Sequence, residues 1–279
     1  MQITRPTTPV TVLCLLIAAT IVGCQFGPKF TATATKELRD TGTTFSIDAV
    51  TNTGSITVQG DEAASGTTVT ARFVCGGKSD QEAQQRVHDT TLDVTKLGDG
   101  TLSVRTTFPK PHMSGDRVAF DITVPTLSGA IVRTNTGSIS VTNARGAVDA
   151  KTDTGRISIS KCTGSALARG DTGRIAVTSH SGPVDAKTDT GSVTIELTDQ
   201  STAAISGTTD TGSVSLSVGP AFHGVISVDT GLGSINLTDE HARISARELQ
   251  KRSGTITIGS GGERSSLRTD VGSITINVR

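Results

Sequence analysis

The chain has 279 residues in which 26 Lys and Arg balance 26 Asp and Glu, so there is no basic excess to suit nucleic acid and no acidic tail to suit a polycation. With 31 Gly, 7 Phe and neither Trp nor Tyr, it lacks the aromatic set on which sugar rings or bases stack, and any core must be aliphatic.

The first expected element is an export signal. Arg5 precedes an apolar run over residues 10–22, too short for a comfortable membrane span. The run ends in Ile21-Val22-Gly23-Cys24, which resembles a bacterial lipobox. On that reading residues 1–23 are removed, Cys24 carries the lipid, and Gln25 is compatible with outer-membrane sorting. An ordinary signal peptide with an incidental cysteine is the alternative. Residues 24–43 are polar without sustained periodicity and read as a flexible tether. Residues 44–279 read as one domain.

Residues 44–126 are the less regular part. Strands are expected over 45–58, 67–74, 102–107 and 118–124. A helix is expected over about 79–93, where Ser79 and Glu82 make a capping box and Ala83 and Val87 an apolar stripe. Such a helix could cover an open end of the domain. Residues 110–116 read as an exposed loop.

The rest is repetitive. A glycine followed by a strand-like tetrad recurs at Gly54, Gly137, Gly155, Gly173, Gly191, Gly212, Gly233, Gly254 and Gly272. From Gly137 onward the spacings are 18, 18, 18, 21, 21, 21 and 18 residues. A fixed period near 20 with one alternating strand per unit predicts an all-β chain, a single-stranded parallel β-helix with 18–21-residue coils. The first inward pair runs Ile139/Val141, Ile157/Ile159, Ile175/Val177 and Val193/Ile195, and onward through Ile256/Ile258 to Ile274/Ile276. A second strand supplies Val148/Ala150, Ala166/Ala168 and Val184/Ala186. The recurring lead-in is Thr-Asp-Thr or Thr-Asn-Thr, where the chain turns a corner and glycine permits positive φ. Gly146, Gly164 and Gly182 mark a further corner. No capping segment follows Asn277-Val278-Arg279, so the last coil is expected to leave an uncovered strand edge.

The best polar pattern is a double column. Arg133, Lys151, Arg169 and Lys187 share one repeat position; Asn135, Asp153, Asp171 and Asp189 lie two residues on, and Arg268 and Asp270 repeat the pair. Same-face spacing sets a basic ladder beside an acidic one. It is either a charged face for a glycan or protein partner, or turn-forming Asx residues with compensating surface charges. His88, His112, His180, His223 and His241 show no metal-ligand spacing, and the aspartates lack the glycine-rich nonapeptide of calcium β-rolls. No metal or other cofactor is expected. Cys75 and Cys162 read as two separate small side chains, Cys162 at the turn position of Ala144 and His180.

The TNTGSITV start, the short helix, the FDITVP strand ending at Pro125 and the train of T-D/N-T-G units together resemble the bacterial putative adhesin domain family, over about residues 44–279. The resemblance implies a β-solenoid of an exported or membrane-attached protein with a surface role. Neither a G-x-S-x-G elbow nor a phosphate loop is present, and no enzyme activity is expected. Three functions stand open: a lipid-anchored adhesion or scaffolding rod of the cell envelope, a self-assembling β-helix polymer, and a degenerate carbohydrate-active β-helix. The partners expected are the membrane through the anchor, a glycan or surface protein, and further copies of the chain. Nucleic acid is not expected.

Overall fold

A computed structural model describes Val12–Ile17, 30–41 and 44–279. Cys24 and most of the expected signal segment lie outside the described residues. Within that segment Val12–Ile17 forms a strand, β1, antiparallel to β2.

The protein is all-β with one short helix, and its strands form one open sheet system. The tether expectation is corrected over Phe30–Asp40, an 11-residue strand (β2) paired antiparallel along its whole length with β5, Thr67–Gly77. The run Thr31-Ala32-Thr33-Ala34-Thr35 alternates small apolar and polar residues, and the inward Ala32 and Ala34 are buried.

The centre is a stack of layers, each with two strands joined at a glycine corner. β3 (Thr44–Thr53) and β4 (Ile56–Gly60) pair in parallel with β9 (Thr126–Thr136) and β10 (Ile139–Thr142). Next come β11 (Val148–Ser160) and β12 (Ala166–His180), which run through the corner without a break in pairing. β13 (Val184–Thr190) with β14 (Val193–Leu197), then β15 (Ile205–Thr211) with β16 (Val214–Val218), continue the stack. The expected registers hold here: Ile139 faces Ile157, Ile157 faces Ile175, and Ile175 faces Val193. These side chains are buried in continuous aliphatic columns.

Both ends depart from a simple train. At the C-terminal end β21 (Glu263–Val271) and β22 (Ile274–Val278) insert between β15/β16 and the earlier pair β17 (Gly224–Leu232) and β18 (Ile235–Asp239). The expected uncovered C-terminal edge is therefore wrong. β22 is sandwiched and its Ile274, Ile276 and Val278 are fully buried, whereas Ile235 and Leu237 of β18 are only partly buried. The Gly254 unit is not a further layer. β20 (Ser253–Ile258) runs antiparallel to β17 and to β19 (Ile244–Leu249). Its lead-in, Lys251-Arg252-Ser253, lacks the Thr-Asp-Thr corner. Ile256 and Ile258 are buried against β17, not in the expected column.

At the N-terminal end, β7 (Thr101–Thr107) and β8 (Arg117–Val124) lie in parallel outside β3 and β4. β6 (Thr91–Lys96) pairs antiparallel with β7, and β5 antiparallel with β8. The helix α1 spans Asp80–Asp89, shorter than expected, because Thr91–Lys96 is strand. Ser79 caps it by accepting from Glu82 N at 3.2 Å, and Glu82 reaches back to Lys78 N at 2.7 Å. It packs on β2 and β5, the antiparallel flap, through Ala83 and Val87. The loop 110–116 is not wholly exposed. Asp116 accepts from Arg86 at 2.5 Å, with side chains 5% and 7% exposed, and from Met113 N at 2.9 Å.

Candidate interaction face

The corners position the face. Gly137, Gly155, Gly173, Gly191 and Gly212 have φ between +138° and +149°. A Cβ at any of them would fall within 2.0 Å of the glycine carbonyl in the adjoining layer. Only glycine lets layers approach this closely at the bend. The first threonine of each Thr-Asp-Thr points inward and is buried. Its hydroxyl donates to the corner carbonyl of the adjoining layer: Thr134 to Gly54 O (3.2 Å), Thr152 to Gly137 O (3.1 Å), Thr209 to Gly191 O (3.1 Å) and Thr269 to Gly212 O (2.9 Å). This buried ladder, absent from the sequence reading, is signalled by parity. Ala130, Val132 and Thr134 alternate with outward Ile131, Arg133 and Asn135.

The outer face of β9, β11, β12, β13, β15 and β21 carries the double column. The ladder pairs Lys151 with Arg133 and Arg169, and Arg169 with Lys187, so the four bases do form one rank. Asp153, Asp171 and Asp189 sit one rank over, between the paired positions Thr152, Gly170 and Thr188 on one side and Thr154, Thr172 and Thr190 on the other. The ion pairs run the other way. Arg133 binds Asp149 at 3.1 Å and Arg169 binds Asp185, both in a rank two residues upstream of the bases. Arg169 also donates to the Asp185 main-chain oxygen at 3.1 Å. Among the described residues of the double column only Arg268–Asp270, at 3.1 Å, follows the expected i, i+2 pairing. The repeated phrase Val-Asp-Ala-Lys at 148–151 and 184–187 held the signal for this third rank. Among the described residues Lys151 and Lys187 have no ion-pair partner, so the rank offers two unspent ammonium groups, Lys151 between Arg133 and Arg169 and Lys187 between Arg169 and Thr208. The Asn135 amide donates to Asn52 at 2.6 Å, extending the Asx rank by one layer.

Beside the bases the face dips. A trough of about 370 Å³ crosses β12, β13, β15 and β21, lined by the small Ala204 and Ser206 together with Leu167, Pro183 and Arg264. At another corner lie Ala144, Cys162 and His180, all buried. Cys75 and Cys162 are free thiols. Burial pushes both thiols above the ordinary cysteine value, which keeps them protonated and unreactive. His180 keeps the expected turn position but is fully enclosed there. Burial, the larger effect, pushes its imidazole below the ordinary histidine value. The main-chain groups of Gly164 and Pro183, short of hydrogen-bond geometry, pull it back in part.

No protein-family model matches the chain, and no curated protein matches it. Solved structures similar to it include a putative cell adhesion protein from Clostridium sporogenes (10% identity, TM-score 0.31, covering 88% of this chain and 100% of that one). A putative adhesin from Parabacteroides merdae is similar at 11% identity and TM-score 0.35, covering 88% and 96%. A putative lipid binding protein from Parabacteroides distasonis is similar at 13% identity and TM-score 0.28, again covering 88% and 96%. Scores at this level leave the architecture to be read from the strand pairings themselves. The similar structures include several named as adhesins or a cell adhesion protein.

Proposed function

We propose that the protein is a non-enzymatic, lipid-anchored envelope protein whose layers wind as a parallel β-helix and present a rigid charged face to a polyanionic partner. The observation that carries this is the in-register rank Arg133, Lys151, Arg169 and Lys187, in which the two lysines are unpaired among the described residues. Cations held at a fixed spacing of about 4.8 Å on a sheet suit a repetitive anion better than a compact one. Cys24 would hold the domain at the membrane.

The test is retention on immobilised polygalacturonate at low ionic strength, with neutral dextran as control. Lys151→Gln with Lys187→Gln should reduce retention, and salt should abolish it within about 0.2 M, since exposed charges are screened over about 8–10 Å. Equal retention of the double variant, or none by the wild type, would overturn the reading. Cys24→Ser should move the protein from the membrane to the soluble fraction; unchanged fractionation would remove the anchor from the proposal.

A further inference from the structure

Resting on the polyanion reading above, we infer that the trough beside the bases is a subsite for one carboxylate-bearing sugar unit of that polymer. Arg264 lines it, exposed, with no ion-pair partner among the described residues. The acid in the lining, Asp185, is already neutralised by Arg169. The trough therefore carries one uncompensated guanidinium, whose planar fork matches a carboxylate with two parallel hydrogen bonds. Its floor is small and mixed. Ala204 and Pro183 offer a flat apolar patch for the C–H face of a pyranose, and Ser165, Ser206 and Ser266 offer hydroxyls to its ring substituents. The volume of about 370 Å³ lies at the lower end of small-ligand sites, about 300–1,000 Å³. The trough is open along its length, so a fatty chain would leave its methylenes in water. The basic rank lies on the same outward face, two residues along the strands from Leu167 and Asp185, so a polymer seated here continues over Lys151 and Lys187.

Isothermal titration with tri-galacturonate separates the subsite from the face. Wild type should bind it saturably and should not bind neutral galactotriose. Arg264→Gln, and Ser206→Phe which fills the trough, should each weaken binding by about tenfold or more, as expected for loss of a charge-assisted pair. Arg264→Lys should fall between, keeping the charge without the fork. Lys151→Gln with Lys187→Gln should weaken the trimer less than Arg264→Gln does while reducing polymer retention, because Arg264 lines the trough whereas the lysines lie two residues along the strands from its lining or farther. All these positions are on the surface, and unchanged melting curves confirm folding. Equal trimer affinity in Arg264→Gln, or equal binding of galactotriose, overturns the subsite. So does polymer retention that depends on the lysines with no trimer binding, which leaves the face reading standing. Failure to retain the polymer at all overturns both.

Discussion

Two substitutions three residues apart in one layer should change stability in opposite directions. Gly173 has φ +144°, and a methyl built there would sit 1.7 Å from Gly155 O and 2.7 Å from Gly155 C. Ordinary contact begins near 3.4 Å, so the layers would have to part locally by about 1.7 Å on a spacing of about 4.8 Å. Non-glycine backbone strain of about 1–3 kcal/mol and one or two broken ladder hydrogen bonds at about 1 kcal/mol each put Gly173→Ala at about 2–5 kcal/mol destabilising. Gly170 stands where the other layers have the buried threonine, in register with Thr152 and Thr188. A Cβ there meets Thr152 O at 3.5 Å and Thr188 Oγ1 at 3.7 Å, both ordinary contacts. Gly170→Thr should extend the ladder by donating to Gly155 O. A net hydrogen bond of about 0.5–1.5 kcal/mol and a less flexible unfolded chain worth about 0.4–1 kcal/mol give about 1–2 kcal/mol of stabilisation. Guanidinium unfolding followed by circular dichroism reads both. Native-state hydrogen exchange at the layers on either side guards against non-two-state melting of a stacked array. A destabilised Gly170→Thr, or a Gly173→Ala that melts with the wild type, would refute the corner geometry.

Other consequences are open to measurement. Asp116→Ala leaves Arg86 charged in the interior, an effect of about 3–5 kcal/mol, and should open residues 110–116 to limited proteolysis before the layers unfold. Because the folded His180 value is depressed, the unfolded chain binds the proton first; stability should be full above the ordinary histidine value of 6.5 and fall as pH drops below it. His180→Leu should flatten that part of a stability-versus-pH curve. Ile157→Asp places a carboxylate in the aliphatic column and should cost several kcal/mol, whereas exposed Asp171→Asn should shift the denaturation midpoint little. Deleting residues 260–279 removes the layer between β16 and β18, and soluble, cooperatively melting protein from that truncation would contradict the inserted order.

What the sequence revealed and what it hid have physical reasons. The middle layers were legible because each repeats the same parity, so Ile157, Ile175 and Val193 could be placed in register from spacing alone. The basic rank was legible on the same ground. Its ion pairs were not, since Arg169 could reach an acid two residues along its own strand or one on the neighbouring strand, and only the sheet geometry selects Asp185. The buried threonine ladder was hidden in a phrase that reads as a turn, although Thr152 and Val148 share parity. β2 was missed because its inward residues are alanines, too weakly apolar to stand out from a polar tether.

The order of layers at the ends was beyond reach of spacing. The Gly233, Gly254 and Gly272 units share nearly the same phrase, and a parallel ladder accepts any strand of matching parity. Burial makes the choice. The inserted layer brings Ile274, Ile276 and Val278, while the outer one brings Ile235, Leu237 and Asp239, so the more aliphatic strand takes the position covered on both sides. The same logic holds at the other end, where β3 and β4, with Phe45, Ile47, Ile56 and Val58 fully buried, lie inside the later β7 and β8. The first layer in the chain and the last are each tucked one position in. Antiparallel strands then close the outside, β5 on β8, β6 on β7 and β20 on β17. An antiparallel partner reverses the chain and ends the repeat at that edge, which blunts continued parallel stacking. The charged rank therefore belongs to a stack bounded by antiparallel strands at β7, β8 and β17, with its spacing fixed by the layers between them.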